Sequence, residues 1–310
     1  MRVIFFGTPD FAAYSLRVLL ETGKDVVAVV TQPDRPRGRG RRLSPPPVKE
    51  LANAEGLPVM QPETIRSGDF AEELSSLEPD VVAVVAYGRI VPHSILKLPP
   101  MGCVNVHASL LPKYRGAAPV QWAIINGEDR TGVTTMLMDE GLDTGDILLQ
   151  EETAIGEDDD AMSLGARLSV LGASLLSRTL EGLASGSIKP CPQSGEASYA
   201  PPLKKEDGRI DWSLPATRLF NFIRGTYPWP GAYCSFRGER VTIVRASMAE
   251  AGSGCAPGTI VSISPGSVGV CTGYGILGLL DLKPQGKKVM SAGAFVRGRH
   301  AKEGEAFDGS

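Results

Sequence analysis

Through the first 188 residues, short apolar runs alternate with longer stretches in which apolar positions return at helical spacing. The runs are RVIFF, DVVAVVTQ, DVVAVVAYG, CVNVH and GVTTMLM, and between the early ones lie PDFAAYSLRVLLETG and VKELANAEG. Continuous β-branched strands separated by helices predict a sheet buried on both faces, hence an α/β domain with a doubly wound, mostly parallel sheet. The turn GTPDFA fits this pattern, with Thr8 placed to cap the first helix and Pro9 at its first position. Leu164, Leu168, Leu171, Leu175 and Leu176 predict a long helix, and the acidic lead-in EDDD suits its positive N-terminus.

The pattern changes after this helix. The stretch SGSIKPCPQSGEASYAPPLKKEDG is polar and rich in Pro and Gly, which reads as a connection over 189–207 between domains 1–188 and 208–310. Beyond it one helical stretch, ATRLFNFIRG, precedes RVTIVRA, GTIVSI, SVGVCTG, ILGLLDL and finally AFVRG. Short apolar runs broken by glycine predict a smaller C-terminal β-barrel of OB-like kind. Trp212, Trp229 and Tyr233 read as packing the junction of the domains rather than stacking on bases.

Length agrees with two domains, at 310 residues. A composition of 42% hydrophobic and 22% charged residues is that of a globular protein, and no apolar run is long enough to span a membrane. The chain is expected to be cytoplasmic and monomeric. The five cysteines are scattered singly and suggest no disulfide framework; His93, His107 and His300 lack ligand spacing, so no metal is expected. No G-x-S-x-G elbow occurs, and GTPDFA lacks the G-x-G-x-x-G of a dinucleotide site. Charge is uneven: residues 200–310 hold 14 Lys and Arg against 9 Asp and Glu, and residues 1–199 hold 18 against 26. A basic C-terminal part suits a nucleic-acid partner, and equally a merely soluble domain.

Candidate chemistry starts at VNVH. Residues two apart share a strand face, so Asn105 and His107 point one way while Val104 and Val106 point the other. The following loop places them at the carboxyl edge, where open parallel sheets bind ligands. Capping of the strand end is the alternative. The loop MDEGLDTGDI, after the next apolar run, supplies Asp139, Glu140, Asp143 and Asp146. An amide, an imidazole and a carboxylate together form a proton-handling set; a solvated acidic turn is the other reading. Residues 35–42, RPRGRGRR, carry five arginines suited to phosphates, or simply to solvent.

NVHASLLPKYRGAAPVQWAIINGE and TGVTTMLMDEGLDTGDIL together resemble the folate-dependent formyltransferases, whose signature pairs N-x-H and SLLP with a later D-x-G. GTPDFA, TQPDRPRGRGRRL and NFIRGTYPWPGAY further resemble the branch of that family that acts on methionyl initiator tRNA. The resemblance runs nearly the whole chain and thins after Arg240. It implies a formyl donor, 10-formyltetrahydrofolate, and a catalytic trio of Asn105, His107 and Asp143. It also implies a folate-contacting loop of Ser109, Leu110, Leu111 and Pro112, and a pterin-receiving wall of Ala86, Tyr87, Gly88 and Ile90. Arg39 matches the arginine that enters the acceptor stem, with Arg41 and Arg42 beside it. The rivals are an amino-sugar formyltransferase, which has no use for five arginines, and a non-catalytic tRNA- or folate-binding module, which does not need the trio.

Overall fold

Seven strands of the N-terminal part form one sheet in a computed structural model that describes residues 1–37, 42–249 and 254–308. In chain order the elements are β1 (Arg2–Gly7), α1 (Asp10–Glu21), β2 (Asp25–Val30), the short pair β3 (Arg35–Arg37) and β4 (Arg42–Ser44), α2 (Pro47–Ala54) and β5 (Val59–Met60). Then follow α3 (Gly68–Ser75), β6 (Val81–Val85), α4 (His93–Leu96), β7 (Cys103–His107), β8 (Arg115–Gly116), α5 (Pro119–Ile125), β9 (Arg130–Leu137), β10 (Ile147–Ala154), α6 (Ala161–Ser185) and β11 (Tyr199–Ala200). The strand order is β10-β9-β7-β6-β1-β2-β5, parallel from β5 to β7, with β9 and β10 antiparallel.

From β1 the chain moves outward through β2 to β5, then returns to β6 on the other side of β1 and continues to β7. The order therefore reverses between β1 and β6, and the loops leaving these two strands flank a topological switch point, the usual ligand crevice of such sheets. One face packs Ile4, Phe6, Val82, Val84 and Cys103 against Phe70 and Leu74 of α3 and Ile95 and Leu96 of α4. α6 covers the other face: a Cβ on its Gly172 would lie 2.9 Å from Val106 Cγ1, so only glycine allows this approach. The doubly wound expectation holds. Asp160 Oδ1 caps α6 by accepting from Met162 N at 2.9 Å and Ser163 N at 2.8 Å, as the acidic lead-in suggested.

The chain divides into two compact units. Unit 1 comprises Met1–Pro119, Arg130–Ala154 and Gly165–Ala200; unit 2 comprises Val120–Asp129, Ile155–Leu164 and Pro201–Ser310. Unit 2 contains α7 (Ala216–Thr226), β12 (Tyr233–Phe236), β13 (Glu239–Met248), β14 (Ile260–Ile263), β15 (Val268–Cys271), β16 (Ile276–Pro284), β17 (Met290–Ser291), α8 (Ala292–Arg299) and β18 (Phe307–Asp308). Its strands pair antiparallel in the order β14-β15-β16-β13-β12-β18, and the sheet curls until Thr259 and Ala306 bridge its two ends. This curled antiparallel sheet is the expected barrel domain.

Arg224 of α7 ties two of unit 2's segments together. Its Nη1 donates to the carbonyls of Gly156 (2.8 Å), Glu157 (2.9 Å) and Asp159 (2.8 Å). Trp212 lies in this unit's core beside Phe307, Tyr233 carries the Arg240 guanidinium over its ring, and Trp229 is exposed. AFVRG belongs to a helix and not a last strand: Ser291 Oγ caps α8 by accepting from Ala294 N–H at 3.3 Å, and Ala292 and Phe295 bury one side. Cys255 and Cys271 are disulfide-bonded, which single scattered cysteines do not announce. Among the described residues no helix is long and apolar enough to cross a membrane, and no cluster of three His, Cys, Asp or Glu side chains could hold a metal ion.

Candidate active site

β7 is central, paired in parallel with β6 and antiparallel with β9, so its carboxyl end is held from both sides. Val104 and Val106 are buried on the α6 face. Asn105 and His107 take the other face, in register with Val84 and Met136 and with Thr134. Asn105 is half-buried, and its side chain makes no hydrogen bond among the described residues, so its amide is free to donate.

His107 is buried, and its Nε2 lies 2.9 Å from the Tyr114 carbonyl. A carbonyl only accepts, so Nε2 bears the proton in this contact. Nδ1 is then left facing Asp143 Oδ2 at 3.6 Å. That separation exceeds a direct hydrogen bond, so the two groups face each other without being bonded.

Asp143 sits at φ 52°, a left-handed conformation that Asp and Asn tolerate better than most residues. Two contacts hold it there. Its Oδ2 accepts from Gly116 N–H at 2.8 Å, and its own carbonyl accepts from Gln193 Nε2 at 2.8 Å. The same Nε2 reaches the Gly145 carbonyl at 2.8 Å, while Gln193 Oε1 accepts from Arg115 Nη2 at 2.6 Å. Gly116 must be glycine: at φ 119° a Cβ would meet the Ala200 carbonyl at 2.7 Å. The segment that reads as a connection in sequence thus lies along unit 1 as far as Ala200, pairing β11 with β8.

The loop after β7 is tightly held. Ser109 is buried and spends its hydroxyl on the Lys113 carbonyl at 2.6 Å. Thr134 Oγ1 donates to the Ser109 carbonyl (2.7 Å) and accepts from Leu111 N–H (3.1 Å), and Gln150 Nε2 donates to the Leu111 carbonyl (2.9 Å). Leu111 is buried, whereas Leu110 and Pro112 stay half-buried. The remaining acidic residues go elsewhere. Asp139 accepts from Thr144 Oγ1 at 2.7 Å, and Glu140 pairs with exposed His93 at 2.5 Å.

The loop after β6 runs alongside the turn after β1. Ala86 (φ 45°) and Gly88 (φ 83°) bend the backbone on either side of Tyr87, whose ring is buried edge-on to Phe6. Ala86, Gly88 and Ile90 are exposed, and their backbone groups make no hydrogen bonds among the described residues. Free backbone donors and acceptors in a bent, exposed loop at the switch point are open to a polar ligand.

Thr8 is not a helix cap. Pro9 takes that position, and the Thr8 hydroxyl donates across the crevice to the Tyr87 carbonyl at 3.1 Å. Gln32 Nε2 donates to the same carbonyl at 3.2 Å. Lys49 and Gln61 hold the nearby Asp34 carboxyl below the usual range, chiefly by hydrogen bonds. Arg39 and Arg41 lie outside the described residues; Arg42 opens β4 opposite Arg37.

Sequence reasoning misses Thr8, Gln32, Tyr114, Gly116 and Gln193. Two of these act through backbone atoms, which leave no mark on side-chain pattern. Gln193 sits in a segment whose composition says only that it is irregular.

A formyl transferase family profile matches residues 1–180, and a formyl transferase C-terminal domain profile matches residues 202–300. The chain is 55% identical to a methionyl-tRNA formyltransferase of Pelotomaculum thermopropionicum, covering 98% of this chain and 97% of that protein. It is 51% identical to one of Thermodesulfovibrio yellowstonii, covering 97% of each. Among solved structures, a methionyl-tRNA formyltransferase from Clostridium thermocellum shares the fold with a TM-score of 0.56 at 18% identity, over 80% of this chain and 94% of that one. An N-formyltransferase from Helicobacter canadensis, in complex with folinic acid and dTDP-3-aminofucose, aligns with a TM-score of 0.67 at 20% identity, over 90% of this chain and 98% of that one. Matched in both domains and sharing so much sequence end to end with such relatives, the chain belongs to the methionyl-tRNA formyltransferase family.

Proposed function

We propose that the chain transfers the formyl group of 10-formyltetrahydrofolate to the α-amino group of methionyl initiator tRNA, giving N-formylmethionyl-tRNA for translation initiation. What supports this reading is that His107 faces Asp143 at 3.6 Å and shares its strand face with Asn105 at the carboxyl edge of the sheet, in a chain that matches these relatives almost throughout. The free backbone groups of Ala86, Gly88 and Ile90 receive the pterin. Leu110 and Pro112 are the members of the Ser109–Pro112 loop open to the donor, while Ser109 and Leu111 keep that loop in shape.

Each member of the trio has one task. Attack of the amine on the formyl carbon puts negative charge on the formyl oxygen. The Asn105 amide and a protonated or proton-sharing His107, which then carries a proton at Nδ1 as well as Nε2, donate to that oxygen, and two such donors in a partly dry site stabilise it far more than water does. Asp143 takes the proton released by the attacking amine and returns it to the leaving nitrogen of the folate, so it ends as it began. The Tyr114 carbonyl fixes the His107 ring, and the Gly116 N–H fixes the carboxylate.

The arginine segment 35–42, with Arg39, Arg41 and Arg42, contacts the tRNA acceptor end. In unit 2 Lys204, Lys205, Lys287, Lys288 and Arg297 are exposed for phosphates, while Arg299 is tied to Glu239. All the catalytic groups come from one copy of unit 1, which suits a monomer, and a role in translation initiation suits the cytoplasm. Incubating the purified protein with labelled 10-formyltetrahydrofolate and either methionyl initiator tRNA or a 4-amino sugar nucleotide tests the reading. Label is expected on the tRNA; label on the sugar, or on neither, overturns it.

A further inference from the structure

One buried side chain joins the loop after β6 to the foot of the β3–β4 pair. Gln32 follows β2, is 7% exposed, and uses both ends of its amide. Nε2 donates to the Tyr87 carbonyl at 3.2 Å, and Oε1 accepts from the Arg35 guanidinium at 3.4 Å. Its main chain is pinned as well: the N–H lies 3.4 Å from Thr8 Oγ1, and the carbonyl accepts from Gln61 Nε2 at 2.8 Å. Gln61 also reaches Asp34 at 2.8 Å, which pairs with Lys49 at 2.9 Å.

This arrangement fixes the amide's orientation. Flipping it would set oxygen against the Tyr87 carbonyl and NH2 against a guanidinium, leaving buried polar groups unpaired. Tyr87 in turn lies between two left-handed residues, Ala86 and Gly88, so its peptide is held in place by side chains from two other turns. At the far end, the Arg35 guanidinium is exposed and has no other partner among the described residues.

We propose that Gln32 is a positioning residue that couples the donor-facing loop to the tRNA-facing arginine segment, so that each substrate strengthens the binding of the other. The proposal rests on the reading above, in which the loop after β6 takes the donor and the arginine segment takes the tRNA. A donor bound to residues 86–90 tightens a network that is already formed: it further restrains the Tyr87 peptide, and through that carbonyl the Gln32 amide and Arg35. Less freedom is then left for tRNA to remove at Arg35, which is positive coupling without a large movement. Linkage makes the effect reciprocal.

The test is a double titration of the full chain with 5-formyltetrahydrofolate, which resembles the donor, and uncharged initiator tRNA. Saturating tRNA should lower the Kd of 5-formyltetrahydrofolate by about fivefold or more in the wild type, the lower end of ordinary coupling. Gln32→Met keeps the length and apolar bulk but has neither donor nor strong acceptor, and should bring that ratio to about one. Gln32→Glu keeps an oxygen for Arg35 and loses the donor to Tyr87; it should lose the coupling while still binding tRNA alone. Arg35→Ala breaks the chain at its exposed end and tests the idea even where a Gln32 variant folds poorly. It should abolish the ratio and leave 5-formyltetrahydrofolate affinity without tRNA unchanged. A merely structural role would reduce the number of binding sites and not the ratio. Coupling that survives in Gln32→Met and Arg35→Ala, or a wild type that binds both ligands independently, overturns the proposal and leaves the proposed function standing. A wild type that binds 5-formyltetrahydrofolate or tRNA not at all overturns both.

Discussion

Asp143→Asn separates charge from shape at the candidate site. Asparagine keeps an oxygen for the Gly116 N–H, now at 2.8 Å, and tolerates the backbone at φ 52°, so the loop should survive. What goes is the carboxylate that accepts the amine's proton. Losing a positioned general base costs about 10²- to 10⁴-fold in rate. The structural cost is smaller: exchanging a charged acceptor for a neutral one weakens a single hydrogen bond by about 1 kcal/mol. Asp143→Ala should be as slow and less stable. It leaves the Gly116 N–H without its acceptor, about 1–3 kcal/mol, and puts a side chain with no polar compensation in a left-handed conformation, about 1 kcal/mol more. Single-turnover transfer from labelled donor to methionyl-tRNA gives the rates, and thermal unfolding gives the stabilities. An Asp143→Asn enzyme within about threefold of the wild-type rate would show that the carboxylate carries no proton in the slow step.

Asn105→Ala should lower the transfer rate by about 10²- to 10³-fold, the usual effect of deleting one oxyanion donor; a rise in donor KM at unchanged kcat would instead make the amide a binding group. Gly116→Ala and Gly88→Ala form a contrast at positive φ. At Gly116 a Cβ meets the Ala200 carbonyl at 2.7 Å, while at Gly88 it meets nothing within 4 Å. Unfolding temperature should fall further for the first, which adds a clash to the left-handed strain that both share, than for the second, which bears the strain alone; equal losses of stability would refute the packing argument. Burial pushes the Cys103 thiol up to about 12 from its ordinary 9.0. Below the ordinary value this makes no difference to stability. As pH rises from about 9 towards 12 the unfolded chain ionises first, so stability is lost across that window. Wild type should therefore lose thermal stability faster than Cys103→Ala over that range, and in native protein at pH 8 a thiol reagent should label exposed Cys191 ahead of buried Cys103 and Cys234.

Much of this site is legible in side-chain pattern, because two of its members obey the two-residue period of a strand. Val104 and Val106 must be inside, so Asn105 and His107 must share the other face at the carboxyl end of their strand, whereas the reversal beside β1 is visible only in the order of strands in the sheet. Periodicity stops there. It cannot show that the Tyr114 carbonyl holds the histidine or that the Gly116 N–H holds the carboxylate, since every residue has those groups. It reads Thr8 as a cap from its neighbours, whereas the hydroxyl bonds a residue 79 positions away. AFVRG fails for a related reason: five residues fit either period, and the capping Ser291 decides.

The hardest residue to foresee is Gln193, and its role has a consequence that can be measured. It lies 50 residues from Asp143 in sequence, in a Pro- and Gly-rich stretch, yet its Nε2 bonds both ends of the turn that carries the carboxylate. Gln193→Leu removes two amide–carbonyl bonds of about 0.5–1.5 kcal/mol each. If the whole of that loss appears as a misplaced Asp143, the rate falls by at most about 10²-fold, since each tenfold step corresponds to about 1.4 kcal/mol. The effect must therefore be smaller than that of the strongest Asp143 substitution. Gln193→Glu should be worse than Gln193→Leu despite keeping its acceptor for Arg115, because it sets a carboxylate against the Asp143 and Gly145 carbonyls. Combining Gln193→Leu with Asp143→Asn completes the test. A buttress acts only through the carboxylate it holds, so the double variant should be no slower than Asp143→Asn alone. Fully additive losses would mean that Gln193 serves the reaction by a route that does not pass through Asp143.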